Sequence, residues 1–528
     1  MYSNSILDQI KADETLGAGN FLYKLRDIVG DVTEQSLFLD TAYVDHTGTA
    51  RDSLSVEDIL TLADGLANWY LEKGVSPKDP VALFFEDSVT YYIHFVALTS
   101  IGAIPTHLNP FLKLETAVEF IARTGACIAM VDDAHIALRE QAAIPVFALD
   151  EIQIPSGDRK KPIYTHHNDD PVMLVHTSGT TGFPKAVRSD HLPMAYGVLK
   201  QLKGNVGTRI LTALPHSHGS GMTILMSGLL RGAKMLVQTK KQPESMFAAI
   251  QKFQADMVIA FPKTFVDMCR FDLTKVDLNC VSYWLAIGDA NHEAHVKKLV
   301  QFGTHVRKGI EHEGSVFIDN LGSSEISYAA FKKVHSLYET DYGRQVGTTF
   351  DWMDVAILDE GGNVLPENEV GYVGIKGPCL TKGYWNNTLL SEKNRLGGYW
   401  LSGDLAYKSS DGKYYHMDRV TDRVTTAEGP LYSCFTEELV LANFSDVFEC
   451  SVVGIHSNDG RQKAVMAIEL AKDATETIEK IGERINQLLE DRNVPKIAKF
   501  VADDPVNFVG VTGKRLKRVM REEITLDE

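Results

Sequence analysis

Cysteine is scarce and scattered in this sequence. The six residues Cys127, Cys269, Cys280, Cys379, Cys434 and Cys450 show no CxxC spacing. That excludes a disulfide framework and a cysteine zinc site, and it suits reduced thiols in a cytosolic protein. Long apolar runs are missing too. The longest near-apolar stretch, 91–105, contains His94 and falls below the roughly 18 residues that cross a bilayer. No membrane span is expected. The segment 1–15 carries charges and no apolar core, so it does not read as a signal peptide, and a cytoplasmic location is expected. Positive charge is not in excess. A net charge of −17 argues against a nucleic-acid binder, which would want a basic surface. Any polyanionic substrate must therefore be held by a local positive site. No internal repeat, biased tract or long Pro- or Ser-rich linker appears.

What is present is a globular composition, 44% apolar and 23% charged over 528 residues, too long for one ordinary core, so two or more domains are expected. Ser55 with Asp58 reads as a capping box. It opens a helix whose Ile59, Leu62, Ala63, Leu66 and Tyr70 keep helical spacing. Strands are predicted at 81–85, near 104, at 126–131, 256–260, 281–287 and 316–318, with helices from about 89 and 115. This alternation predicts an α/β fold with layered, mostly parallel sheets covered on both faces. From about Thr349 short strands and Gly-rich turns predict a small antiparallel subdomain. After about Val420 the pattern is a compact α+β segment, with strands near 451–455 and 464–470 and its clearest helix at 475–491.

The chemistry shows first at Thr177-Ser-Gly-Thr-Thr-Gly-Phe-Pro-Lys185, which follows the apolar strand 171–175. Glycines and small hydroxyl residues let backbone amides approach phosphate oxygens, and hydroxyls and one ammonium add donors. The spacing is not the GxxxxGK[ST] of a Walker loop. The string resembles instead the phosphate-binding loop of the acyl-adenylate-forming superfamily: acyl-CoA synthetases, stand-alone adenylation enzymes and beetle luciferases. On that resemblance, Thr177, Ser178, Gly179, Thr180, Thr181, Gly182 and Lys185 bind ATP. Asn320-Leu-Gly-Ser-Ser-Glu325 is similar to the family's YGxTE segment. It implies Asn320, Leu321, Gly322, Ser323 and Ser324 at the nucleotide and Glu325 on Mg²⁺, a hard cation that takes carboxylate and phosphate oxygens. Tyr399-Trp-Leu-Ser-Gly-Asp404 looks like GWxxTGD, whose aspartate binds the ribose. Arg419 of Asp418-Arg419 matches the arginine that closes this region, and Gly371 to Gly377 with Gly383-Tyr384-Trp385 fits the intervening pattern. Val511-Thr-Gly-Lys514 resembles the C-terminal motif whose lysine bridges carboxylate and α-phosphate. The likeness spans roughly 55 to 520.

The resemblance implies a large N-terminal domain, 1–419, holding the acid and ATP sites. It also implies a small mobile C-terminal domain, 420–528, turning about Thr421 and carrying the adenylation lysine. Lys514, Glu325 and Lys185 would be catalytic. The implied activity is that of an acid-CoA ligase: a small-molecule carboxylic acid such as a medium acyl or aryl acid, ATP and CoA as substrates, Mg²⁺ as cofactor, no nucleic-acid partner. A stand-alone enzyme loading a carrier protein, an enzyme specialised for one half-reaction, and a non-catalytic nucleotide binder are the alternatives. Pro215-His-Ser-His218-Gly-Ser-Gly221 aligns with the segment lining the acyl site. His218, Gly219, Gly221, Gly288, Asp289 and Gly322 are expected around the acid, the three glycines 219, 221 and 322 leaving room. No FDxS-type aspartate is present, which disfavours an α-amino acid. Four features depart from the family. Leu321 stands where an aromatic residue usually meets adenine. Thr421 replaces the hinge Asp or Lys, and Thr425 replaces a frequent lysine. The loop Ala427-Glu-Gly-Pro-Leu keeps only Gly429 of a Gly pair and adds Pro430. All but Leu321 lie on the thioester-forming side, so adenylation is better supported than the acceptor.

Overall fold

A computed structural model describes residues 1–154, 159–177, 183–203, 206–339, 342–457, 461–503 and 517–526. Among them, two sheets dominate. The smaller runs, edge to edge, Val146–Ala148, Ile128–Val131, Pro80–Phe84, Ile104–His107, Pro171–His176 and Ala186–Asp190. Its strands are parallel except the last, which returns antiparallel to Pro171–His176. The parallel strands Pro80–Phe84, Ile104–His107, Ile128–Val131 and Pro171–His176 are buried almost throughout, as strands covered on both faces are. The helix Val56–Glu72 starts with the expected capping box: the Ser55 hydroxyl accepts from Asp58 N–H while Asp58 accepts from Ser55 N–H. Its Ile59, Leu62, Ala63, Leu66 and Tyr70 are buried.

The larger sheet runs Asp354–Leu358, Gly371–Lys376, Tyr399–Lys408, Tyr414–Arg419, Gln345–Thr349, Phe331–His335, Val316–Leu321, Tyr283–Ile287, Met257–Ala260, Arg209–Thr212, Lys234–Val237, Gln35–Val44 and Ala50–Ser55. From Val316–Leu321 to Gln35–Val44 neighbours are parallel; from Val316–Leu321 in the other direction they are antiparallel. The antiparallel unit foreseen after Thr349 is therefore bonded onto the parallel sheet. Short strands and glycine turns reveal its hairpins but not its partner.

The C-terminal part has its own apolar core, built on Val440, Val452, Met466, Ile481 and Ile485. The strands Val447–His456, Gln462–Leu470 and Lys499–Ala502 form its sheet, with helices Ser433–Asn443 and Ile478–Asp491 against it. Glu437 inside this core accepts from Val452 N–H and from the Lys517 ammonium at 2.8 Å. Burial would lift that carboxyl, and the paired lysine works against the lift. The helix Ser433–Asn443 also reaches the preceding part of the chain: His292 Nδ1 lies 2.8 Å from Glu438 Oε2. No helix among the described residues is long and apolar enough to cross a membrane.

Candidate functional site

The strand Pro171–His176 ends at Thr177, and the loop that follows is closed at its base. Thr177 N–H donates to Lys185 O at 3.1 Å, and Lys185 N–H to Thr177 Oγ1 at 3.3 Å. Ser178, Gly179, Thr180, Thr181 and Gly182 lie outside the described residues, as does Lys514. On the far side of the loop, Trp385 N–H donates to Ala186 O, and Thr381 N–H to Glu325 O, both at 2.8 Å. These bonds draw three remote segments together. Tyr384 Oη donates to Glu325 Oε1 at 2.8 Å, and the Lys185 ammonium stands 5.0 Å from the Tyr384 ring centre. Burial, and then the Glu325 charge, push the Tyr384 phenol up, so it stays a donor. Among the described residues the hydrogen bond to the Glu325 side chain goes to Oε1. A single carboxylate with one oxygen tied back suits Mg²⁺ whose other ligands come from phosphate and water.

The strand Val316–Leu321 runs parallel to Tyr283–Ile287 with Ile287 opposite Asn320. Gly288 and Leu321 thus emerge side by side at the C-terminal edge, where open α/β sheets bind ligands. Gly288 has φ +98°, the region that favours glycine. Asn320 Oδ1 and Ser323 Oγ are buried there without a hydrogen-bond partner among the described residues. A buried polar atom left unpaired is costly, so both are fitted to a polar ligand. Ser324 is half-buried, and Asp289 is exposed with its Oδ1 accepting from Ala290 N–H at 3.0 Å.

His218 caps the helix Gly219–Arg231: its Nδ1 accepts from Ser220 N–H at 3.2 Å. Nδ1 is then the acceptor nitrogen, and Nε2 carries the proton of the neutral ring. The ring meets Phe261 edge-on, with centres 5.5 Å apart. A Cβ on Gly288 would come within 2.9 Å of the same phenyl ring, so Phe261 joins His218 and Gly288 into one wall. The room expected at three glycines exists at one. A Cβ on Gly219 would meet none of the described residues within 4 Å, whereas one on Gly221 would lie 2.4 Å from Pro215 O and one on Gly322 3.0 Å from Tyr328 O. Gly221 and Gly322 serve close backbone approach.

The hairpin Tyr399–Lys408 and Tyr414–Arg419 places Asp404 opposite Arg419. Arg419 Nη1 donates to Asp404 Oδ1 at 2.9 Å, and His416 Nε2 reaches the same oxygen at 3.3 Å. Burial opposes the Asp404 charge, but the Arg419 guanidinium and His416 hold this carboxyl well below the usual range. It is an anion at any physiological pH. Thr421 sits just beyond, in a turn where Asp422 and Arg423 N–H groups both donate to Arg419 O, while Arg521 donates to Thr421 O at 3.2 Å. Thr425 and Pro430 face each other in the small hairpin Val424–Thr426 and Gly429–Leu431.

Four side chains escaped the reading of the sequence: Phe261, Tyr384, His416 and Arg344, which donates to His416 Nδ1 at 2.9 Å. Tyr384 had a signal, the Gly383-Tyr-Trp385 string, but no role. The others pair across the fold and leave no local pattern.

The family model of the AMP-binding enzymes matches residues 39–385. A "3-aminoavenalumate diazotase" of Streptomyces sp. is 35% identical over 547 residues, covering 98% of each protein. A 2-succinylbenzoate–CoA ligase of Geobacillus sp. (strain WCH70) is 25% identical over 481 residues, 89% of this chain and 92% of that one. The amide bond synthetase McbA from Marinactinospora thermotolerans shares the fold, with a TM-score of 0.80 at 20% identity over 96% of this chain and 99% of that one. Matched by the family model over most of its length, and by a relative of this similarity along nearly all of it, the chain belongs to the AMP-binding enzymes, a family of ATP-using, adenylate-forming proteins.

Proposed function

We propose that this enzyme uses ATP to activate an oxyanion for attack by an aryl amine, the diazotase reaction, and not for attack by the thiol of CoA. One observation carries this reading: the 35% identity with the diazotase along 98% of both chains, against 25% for the CoA ligase. The departures at Thr421, Thr425 and Pro430 support it, because they fall on the side of the sequence that serves thioester formation in related enzymes. A diazo group needs a nitrogen donor, and the oxyanion that supplies one is nitrite. In the first step a nitrite oxygen attacks the α-phosphorus and pyrophosphate leaves. In the second, the amine lone pair attacks the nitrosyl nitrogen, and AMP departs with the nitrite oxygen that had bridged to phosphorus. The amine gives up a proton, and the resulting N-nitrosamine takes one up and loses water to become the diazonium ion.

The chain's own groups fit the demands of such a sequence. Attack of one anion on another needs positive charge and amide donors where negative charge gathers. Lys185, the loop after Thr177 and Lys514 are assigned that role. Asp404 and Arg419 would hold the ribose. Mg²⁺, when bound with ATP, would be held by Glu325 and phosphate oxygens and would offset the phosphate charge. Phe261, His218 and the open space at Gly219 would face the arene. Residues 420–528 would move as a unit about Thr421.

The second reading is the acid-CoA ligase, favoured by the likeness to the 2-succinylbenzoate–CoA ligase, with carrier-protein loading as its variant. The deciding experiment measures pyrophosphate release with aryl acids, with nitrite, and with aminoaryl acids plus nitrite, each with and without CoA. The proposal expects nitrite-dependent release and a product bearing ¹⁵N from labelled nitrite. Release that ignores nitrite and yields a CoA thioester would establish the second reading.

A further inference from the structure

Arg344 lies far from Asp404 in sequence, yet a chain of buried polar groups joins them. His416 N–H donates to Arg344 O at 3.0 Å, Arg344 Nη2 donates to His416 Nδ1 at 2.9 Å, and His416 Nε2 stands 3.3 Å from Asp404 Oδ1. Arg344, His416 and Asp404 are all buried. A guanidinium only donates, so Nδ1 of His416 accepts and Nε2–H is the donor to the carboxylate. The direction of the relay is thereby set: cation, neutral imidazole, anion. At its outer end Arg344 Nη1 donates to Asn291 O at 2.9 Å and lies 3.9 Å from Glu438 Oε2. Glu438 belongs to the helix Ser433–Asn443 and also receives Glu293 N–H at 3.1 Å and His292 Nδ1 at 2.8 Å.

We propose that Arg344 and His416 are positioning residues for the nucleotide, and that they make the hold on its ribose depend on the seating of the helix Ser433–Asn443. This rests on the ribose role proposed for Asp404. Arg419 binds the same Asp404 oxygen, but its side chain is half exposed, so on its own it fixes the carboxylate poorly. The imidazole is locked from behind by Arg344, and Arg344 is held between Asn291 O and the Glu438 charge. Removing Glu438 from its place leaves the buried Arg344 cation without the carboxylate 3.9 Å away, and the imidazole it orients loses part of its lock. A group oriented through packed partners keeps its geometry only while they stay.

The test is the affinity for ATP and for 2′,3′-dideoxy-ATP, by calorimetry on the full chain, alongside KM for the activated substrate. Wild type should prefer ATP. His416→Phe should weaken ATP binding about tenfold, as the loss of one charge-assisted hydrogen bond would, and should leave binding of the dideoxy nucleotide within about twofold. His416→Gln, which restores an N–H donor toward Asp404, should recover most of the loss. Glu438→Gln should weaken ATP, and not dideoxy-ATP, by about threefold, a fraction of one such bond. Equal weakening of both nucleotides by His416→Phe would mean a purely structural role and overturn the proposal. Should that variant fail to fold, the same comparison on Glu438→Gln and Arg344→Lys decides. A Glu438→Gln variant with unchanged ATP affinity would remove the coupling to the helix. A wild type that binds both nucleotides equally would defeat the ribose assignment itself, and the relay with it.

Discussion

Gly219 offers a clean perturbation, because the three glycines around the proposed arene pocket differ in what a methyl group would meet. Gly219 begins the helix Gly219–Arg231, and none of the described residues lies within 4 Å of an added Cβ. Gly-to-Ala in a helix interior gains about 1 kcal/mol, and less at a first position, so Gly219→Ala should be neutral or slightly stabilising. At Gly221 the methyl would stand 2.4 Å from the carbonyl oxygen of Pro215. That is backbone, unable to swing away, and overpacking of this kind costs about 1–3 kcal/mol. Gly219→Leu carries the comparison to function. Its branched side chain would fill space for roughly three or four carbons, each worth about 0.8 kcal/mol of burial to a ligand. KM for a ring-bearing substrate should then rise by at least about tenfold, with ATP affinity unchanged, since only a part of that loss need appear. The assays are thermal melting, nucleotide calorimetry and pyrophosphate release across substrates of graded size. If Gly219→Leu treats large and small substrates as wild type does, the open space beside Gly219 is not the substrate pocket. If Gly221→Ala melts no lower than wild type, the argument from the clash fails.

Glu325→Gln should raise the Mg²⁺ concentration needed for half-maximal pyrophosphate release while the fold is kept, and an unchanged Mg²⁺ dependence would remove the metal role. Tyr384→Phe, which keeps the ring under Lys185 but drops the hydroxyl at 2.8 Å from Glu325, should lower kcat by about tenfold with melting little changed; a kcat equal to wild type would show that Glu325 needs no such restraint. Asp319 has its carboxyl pushed up to about 6, by burial first, against the opposing pull of Arg344 and the Asn291 amide. The folded chain therefore holds this proton between about pH 4 and 6 where the unfolded chain has lost it, and stability falls as pH rises through that window. Asp319→Asn should melt higher than wild type near pH 7.5, an advantage that shrinks as the pH falls below about 6 and is largely gone by about pH 4; a constant offset across that range would count against the assignment. Thr421→Pro fixes φ in the turn after Arg419 and should impair the transfer step more than adenylate formation, measured with supplied adenylate; equal loss in both would leave the hinge without support.

Much of the fold was legible because its signals are local. The Ser55–Asp58 box, the helical spacing from Ile59 to Tyr70 and the short apolar runs at 81–85 and 281–287 each need only neighbouring residues, and the corresponding elements are found at Val56–Glu72, Pro80–Phe84 and Tyr283–Ile287. The site was legible only where resemblance supplied the roles. The structure brings Lys185 and Glu325 to one tyrosine, and Asp404 to Arg419. What the sequence withheld depends on register between distant strands. The pairing of Arg344 with His416 exists because Gln345–Thr349 lies beside Tyr414–Arg419, a neighbour relation that no spacing encodes. The glycines misled for a related reason. Absence of a side chain signals either room or close contact, and only the backbone across the gap decides between them.

The attachment of the antiparallel strands to the parallel sheet has a consequence for how ATP is held. Asn320 and Leu321 end one strand of that sheet, while Asp404 and Arg419 lie a few strands along it, with Phe331–His335 and Gln345–Thr349 between. The contacts proposed for base and sugar are thus mounted on a single hydrogen-bonded slab, like two jaws cut from one plate. Their separation is set by strand spacing, about 4.7–4.9 Å for each step, and cannot open or close without breaking ladder bonds. Motion beyond Arg419 would then reach the nucleotide through the contacts of Glu438, Arg344 and His416, and not through a change in the spacing of these strands.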